Sequence, residues 1–136
     1  MRVVFDTNVL ISSLIKKGKP EQLFNKAVNR EIKLLSSNGI LAELSAVLKR
    51  PRFREYADEN SIQSFLALLN RICRLVDVRS NFEITRDKAD NMILATAYDG
   101  KAEYIVSGDE DLLALKEFKG IRIVSVNEML SILRKR

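Results

Sequence analysis

The sequence predicts an α/β domain in which a parallel sheet is covered by helices on both faces. Short apolar runs alternate with helix-length amphipathic segments along the chain, the pattern of repeated strand–helix crossovers. The first run, Val3-Val4-Phe5, has no polar residue, as expected of a strand buried on both faces. With 136 residues, 46% of them hydrophobic, the chain suits one compact domain spanning 1–136 with a sizeable core.

Each element has its own justification. Val3–Phe5 ends on Asp6, and a helix is predicted over Asn8–Lys16 with Val9, Leu10, Ile11 and Leu14 apolar, closed by Gly18 and Pro20. Pro20 then stands at the tolerated first turn of a second helix whose Leu23, Phe24, Ala27 and Val28 share a face. Ile32–Leu35 is the second strand, and Ser36–Gly39 supplies the turn and cap for a helix over Ile40–Lys49. In that helix Glu43 falls beside the apolar stripe, where a carboxylate reaches the rim of the core. Arg50-Pro-Arg-Phe-Arg stops it. A long helix over Asn60–Arg74 follows, expected to form a lobe beside the sheet with the helix before it. Leu75–Val78 reads as a third strand, and 79–86 as a connection without an assignable structure. Asp87 is placed as an N-cap, which puts Asp90 at the third helical position of a helix ended by Gly100. Glu103–Val106 is the fourth strand; Asp109 and Asp111 follow at its carboxyl edge as another helix begins. Capping accounts for one of these two acids but not comfortably for both. Ile121–Val124 is the fifth strand, and Asn127–Leu133 a closing helix with the basic tail Arg134-Lys-Arg136.

Parallel α/β sheets bind ligands in the crevice beyond the carboxyl ends of their strands. Asp6, Asp109 and Asp111 follow strands at that edge, and Glu43 and Asp90 lie on helices that leave it. All five acids are therefore expected around one crevice. Two carboxylate charges about 4 Å apart repel by roughly 4 kcal/mol at an effective dielectric near 20, so such a cluster needs protons or a cation. With oxygen ligands alone the expected cation is Mg²⁺ or Mn²⁺, as one or two ions. The balance of charge agrees with a phosphate-bearing partner: with those five withdrawn from 18 acidic residues, 13 remain against 23 basic ones. The chain has no histidine, which excludes histidine general bases, His-zinc sites and Ser-His-Asp triads. Metal-assisted phosphodiester hydrolysis suits the remaining parts.

The segments Val4-Phe-Asp-Thr-Asn-Val-Leu-Ile11, Leu41-Ala-Glu-Leu44, Asp87-Lys-Ala-Asp-Asn91 and Val106-Ser-Gly-Asp-Glu-Asp-Leu-Leu113 resemble, in order and spacing, the four acidic motifs of the PIN-domain ribonucleases. The compact size resembles the toxin component of VapBC-type toxin-antitoxin pairs. This resemblance implies a three-layer α/β/α fold with a central five-stranded parallel sheet and metal-dependent cleavage of single-stranded RNA. It also implies a small antitoxin partner and a homodimer. Carried over by residue, Asp6, Glu43, Asp90 and Asp109 are the metal-binding, catalytic acids and Asp111 a further ligand or an acid that supports the ligands from behind. Thr7, Asn8 and Ser107 match polar positions that orient waters or carboxylates. Where many relatives carry a denser acid cluster, this chain has Asp87-Lys88-Ala89-Asp90, so Asp87 is read as a cap. Lys16, Lys17, Arg50, Arg52 and Arg54 are the candidates for an RNA-binding rim.

Other readings fit less well. A receiver domain wants an acidic pair after the first strand, a phosphorylatable Asp after the third and a Lys after the fifth. Here the first strand offers one Asp, Asp77 falls inside the expected third strand, and Asn127 follows the fifth. A haloacid-dehalogenase-like phosphatase wants an acid two residues after Asp6, where Asn8 stands. An RNA-processing nuclease without an antitoxin and a catalytically weak RNA-binding or assembly module remain as alternatives within the resemblance. No apolar run reaches the ~18 residues of a membrane span, and Asp6 and Asn8 break the first run before it serves as a signal sequence. A cytoplasmic protein is expected. Cys73, the single cysteine, is read as a small buried hydrophobe.

Overall fold

The computed structural model describes residues 1–136, in six strands and seven α-helices. Strands β1 (Arg2–Phe5), β2 (Lys33–Ser36), β3 (Arg74–Leu75), β4 (Tyr104–Val106), β5 (Glu117–Phe118) and β6 (Ile121–Val124) form one sheet in the order β3-β2-β1-β4-β6-β5. Five are parallel as expected, while β5 pairs antiparallel with β6 and is an addition. Lys119 and Gly120 join the last two strands with φ of 49° and 84°, the two positive values a type I′ hairpin requires. Lysine at the first of these positions conceals a hairpin that Asn-Gly would have announced.

The third strand is shorter than the expected Leu75–Val78 and begins one residue earlier, with Arg74 and Leu75 registered against Leu35 and Ser36. The cause lies on a helix. Asp99 accepts the backbone N–H groups of Arg79 (2.6 Å) and Ser80 (2.8 Å) together with the Ser80 hydroxyl (2.5 Å), drawing the chain off the sheet edge. These donors hold the Asp99 carboxyl below its ordinary range despite its partial burial.

The helices are α1 (Thr7–Ile15), α2 (Lys19–Val28), α3 (Asn38–Leu48), α4 (Glu59–Ile72), α5 (Lys88–Asp99), α6 (Glu110–Leu115) and α7 (Val126–Arg134); a 3₁₀ turn occupies Pro51–Glu55. α1, α2 and α7 pack together, α5 lies across β1, β2 and β4, and α3 packs on α5. Ser37, the N-cap of α3, bonds Thr96 of α5 hydroxyl to hydroxyl at 2.8 Å and ties those two helices. α4 is no separate lobe with α3: Phe65 packs on Phe24 of α2 at 5.1 Å between ring centroids, and Leu69 is fully buried. One apolar cluster of 33 buried residues, running from Val3 to Leu130, fills the interior.

Gly100 closes α5 for a reason other than a left-handed turn. Its φ is −83°, and a Cβ there would come within 2.8 Å of Val76 Cγ2 and 2.9 Å of Leu35 Cδ1; the left-handed residue is Lys101, at φ 57°. From β1 the chain steps through β2 to β3 on one side, and β4, β6 and β5 lie on the other. The order therefore reverses between β1 and β4, the position at which an open α/β sheet opens a crevice for a ligand.

Candidate active site

Asp6 lies where β1 ends, in that crevice. Its backbone N–H still bonds Val106 O of β4 at 2.9 Å, so the chain stays in the sheet until the carboxylate is placed. Oδ1 accepts the Asn8 N–H at 2.6 Å and caps α1, while Oδ2 accepts the Ser107 hydroxyl at 2.5 Å. Capping and site membership are thus one arrangement. Asp6 is only 4% exposed, and burial pushes its carboxyl up, against the opposing pull of the Ser107 and Asn8 hydrogen bonds and with a further push from the Asp109 charge.

Three helix starts point at the same spot. Asp109 caps α6 by accepting the Asp111 N–H at 2.9 Å, and its own N–H donates to Ser107 Oγ at 2.9 Å. Asp87 caps α5 by accepting the Ala89 N–H at 2.8 Å. The positive ends of α1, α5 and α6 lower the cost of gathering acids here. Asn91 fixes the approach to α5: its side-chain oxygen accepts the N–H groups of Ile84 and Thr85, and its amide donates to Thr85 O.

Asp90 occupies the third position of α5, as expected, but it does not serve as a capping-box acid. The Asp87 N–H that such an acid would bind is bonded to Thr85 Oγ1 at 3.2 Å. Asp90 is 6% exposed, and its buried Oδ2 has no hydrogen-bond partner. Burial first, then the neighbouring Asp109, Asp87 and Asp6 carboxylates, push this carboxyl up to about 8. A buried carboxylate oxygen without a donor is costly, and a cation among the acids removes both that cost and the repulsion. Oxygen atoms of Asp87, Asp90 and Asp109 lie within 4.8 Å of one another, a spacing that fits a divalent ion.

The cavity enclosing these groups is about 60 Å³ and is lined by Asp6, Thr7, Asn8, Glu43, Asp87, Asp90 and Asp109, among others. Glu43 enters it half-buried from α3, with Oε2 accepting the Thr7 hydroxyl at 3.1 Å. The structure therefore brings Asp6, Glu43, Asp90 and Asp109 to one cavity with Thr7 and Asn8, and Ser107 braces Asp6 and Asp109 from behind. Two site expectations change. Asp111 is exposed and outside the cavity lining, because its place in the first turn of α6 turns it outward. Asp87, read as a cap alone, joins the acid cluster as well; its spacing of three from Asp90 at a helix start was the available signal.

The basic candidates are exposed and do not line this cavity. Lys16 and Lys17 follow the C-terminal end of α1, and Arg50, Arg52 and Arg54 surround the 3₁₀ turn, with the Arg52 guanidinium 4.8 Å from the Phe53 ring centroid. No helix is long and apolar enough to cross a membrane. Cys73, read as a small buried hydrophobe, is only half-buried, and that burial pushes its thiol up.

Comparison with known proteins gives a consistent picture. The family profile described as PIN domain matches residues 2–111. Uncharacterized protein MJ1680 of Methanocaldococcus jannaschii is 34% identical over 119 residues, covering 86% of this chain and 76% of its own length. Among solved structures, PAE2754 from Pyrobaculum aerophilum is similar with a TM-score of 0.69 at 16% identity, over 100% of this chain and 91% of its own. VapBC2 from Rickettsia felis, bound to a DNA fragment from its promoter, gives 0.62 at 18% identity, over 92% and 98%. FitAB bound to an IR36 DNA fragment gives 0.57 at 20%, over 91% and 94%. At these identities the structural likeness is one of fold.

Proposed function

The chain belongs to the PIN domain family, and from that premise we propose that it is a divalent-metal-dependent endoribonuclease acting on single-stranded RNA. The observation that carries the reading is Asp90: a buried carboxylate with a partnerless oxygen, held against Asp109 and Asp87 at the crevice where the sheet order reverses. The capping-box bond that α5 could use is taken by Thr85, and the helix dipole favours an acid in this first turn without requiring it to be buried and partnerless, whereas a metal site accounts for both. Asp6, Glu43, Asp90 and Asp109 are the acids assigned to hold Mg²⁺ or Mn²⁺, with Asp87 beside them. When bound, the ion supplies Lewis acidity toward a phosphate oxygen and toward water.

The chain's own groups do the positioning. Ser107 and the Asn8 N–H fix both oxygens of Asp6, and the Thr7 hydroxyl fixes Glu43. With no histidine in the chain, proton transfer falls to carboxylates, hydroxyls, amines or water. The test is cleavage of a labelled single-stranded RNA with Mn²⁺ or Mg²⁺, with chelator, and by Asp90→Asn. Cleavage that needs metal and disappears in the folded variant supports the reading; activity that survives both chelator and Asp90→Asn overturns it.

The role favoured for this nuclease is the toxin of a toxin-antitoxin pair, acting as a homodimer in the cytoplasm and held inactive by a small antitoxin. Its support is the fold shared with VapBC2 and FitAB. Growth arrest on expression of the wild-type chain, relieved by Asp90→Asn and by a short neighbouring reading frame, is the expected result. An RNA-processing nuclease that needs no antitoxin would leave growth unaffected.

A further inference from the structure

Beside the acid cavity lies a second and larger one, about 300 Å³, between α1, the start of α2 and the start of α7. The two are neighbours, for Asn8 lines both and Ser107, which braces Asp6, lines the larger. The acid cavity has one-fifth of that volume, enough for ions with a few waters and too little for a base. The larger one reaches the lower end of the range in which small organic ligands are bound, roughly 300–1,000 Å³.

Its walls carry a particular chemistry. Val9 and Val126 supply apolar surface, Asn8 and Asn127 supply amides that both donate and accept, Ser12 supplies a hydroxyl, and Lys19 a positive charge. The amides are uncommitted: whereas Asn91 is fully bonded to its own loop, no side-chain hydrogen bond engages Asn8 or Asn127. The chain's ion pairs, Lys26–Glu31 and Arg79–Asp77, leave Lys19 free as well. Flat apolar faces edged by donors and acceptors are the features of a nucleobase, and bases of single-stranded RNA are read by splaying them out and bonding their edges. Asparagine is suited to this because its amide offers a paired donor and acceptor.

We propose that this cavity is a nucleobase subsite, which takes the base next to the phosphate held at the acid cluster, with Asn127 reading its edge and Lys19 holding the adjoining backbone phosphate. The proposal rests on the nuclease reading for its substrate. Asn127 lies beyond the part of the chain that the family profile matches, residues 2–111, so the family pattern does not assign it. It is exposed on the first turn of α7, whose capping box is made by Ser125 and Glu128, so Asn127→Ala leaves the cap intact.

The test has two arms. In the first, each of the four 5′-nucleoside monophosphates is titrated to millimolar concentration into metal-free protein, with backbone amide resonances as the readout. The expected result is that one nucleotide perturbs Ser12, Val126 and Asn127 more than the others and that Asn127→Ala weakens it by about tenfold. Inorganic phosphate alone, which carries no base, should leave these residues unperturbed. In the second arm, single-stranded oligonucleotides varied at the position next to the cut are cleaved by wild type and by Asn127→Ala. A base preference that flattens in the variant, through KM rather than kcat, supports the subsite. Equal perturbation by all four nucleotides and by phosphate, or a preference untouched by Asn127→Ala, overturns it. Base-selective nucleotide binding without any RNA cleavage would uphold the subsite and overturn the nuclease reading; cleavage without selectivity would do the reverse.

Discussion

The Ser107 hydroxyl donates to Asp6 Oδ2 at 2.5 Å across 101 residues of sequence, and its oxygen accepts the Asp109 N–H at 2.9 Å. One fully buried side chain thereby sets the spacing of two acids that follow different strands and cap different helices. Ser107→Ala should keep the fold and lower RNA cleavage by about 10–100-fold, the usual cost of losing a group that orients a ligand. Ser107→Thr should restore part of it. Steady-state rates with circular dichroism decide the matter; an Ala variant of full activity would leave Ser107 a structural residue only.

Asp90→Asn should separate stability from function. Between about pH 4 and 8 the wild-type carboxyl must take up a proton on folding, at a cost in stability that the neutral amide does not bear, so near neutral pH the metal-free variant should melt higher than the metal-free wild type. It should also lose the rise in Tm that Mg²⁺ or Mn²⁺ gives the wild type by binding the folded state. A metal-dependent shift of the same size in both proteins would place the ion elsewhere.

The pH dependence of stability follows from the same carboxyl. Its pKa is about 8 in the folded chain against 3.8 when unfolded, so the folded state holds a proton that the unfolded chain releases. Below about pH 4 both states are protonated and no penalty exists. Between about pH 4 and 8 stability falls as pH rises, with Asp6 adding in the same direction. Chelated protein should show this fall in thermal denaturation, and Mg²⁺ should cancel it at the alkaline end; a flat profile that metal leaves unchanged would contradict the account.

Asp87 and Asp111 offer a direct contrast. Asp87→Asn should weaken Mn²⁺ binding by roughly tenfold, in line with the loss of a metal-site carboxylate or its close support, while retaining an N-cap side chain for α5. Asp111→Asn, on the outward face of α6, should bind within about twofold of wild type. Calorimetric titration of both variants checks the assignment, and the opposite ranking would restore Asp111 to the site.

Gly100→Ala tests the fold rather than the site. The new methyl would press on Val76, Leu35 and the Thr96 carbonyl, the last at 3.0 Å, and overpacking of this kind costs about 1–3 kcal/mol. Urea denaturation should show that loss with the metal-dependent cleavage rate of the folded fraction unchanged.

The sequence by itself determined a great deal. Continuous apolar runs alternating with amphipathic segments identify the parallel strands β1, β2, β4 and β6 and the major helices, because burial imposes a period that the residues display locally. The placing of Asp6, Asp90 and Asp109 at strand ends or helix starts is legible for the same reason. What only the tertiary structure decided are matters of which distant groups meet. Asp99 shortens β3 from across the sheet edge; a Lys119-Gly120 turn adds β5; Asp87 joins the acids while Asp111, two residues from Asp109, turns away. No local pattern encodes these outcomes. They follow from the few ångströms between side chains that the sheet order brings together, and a carboxylate's energy depends on its neighbours within that range far more than on its place in the chain.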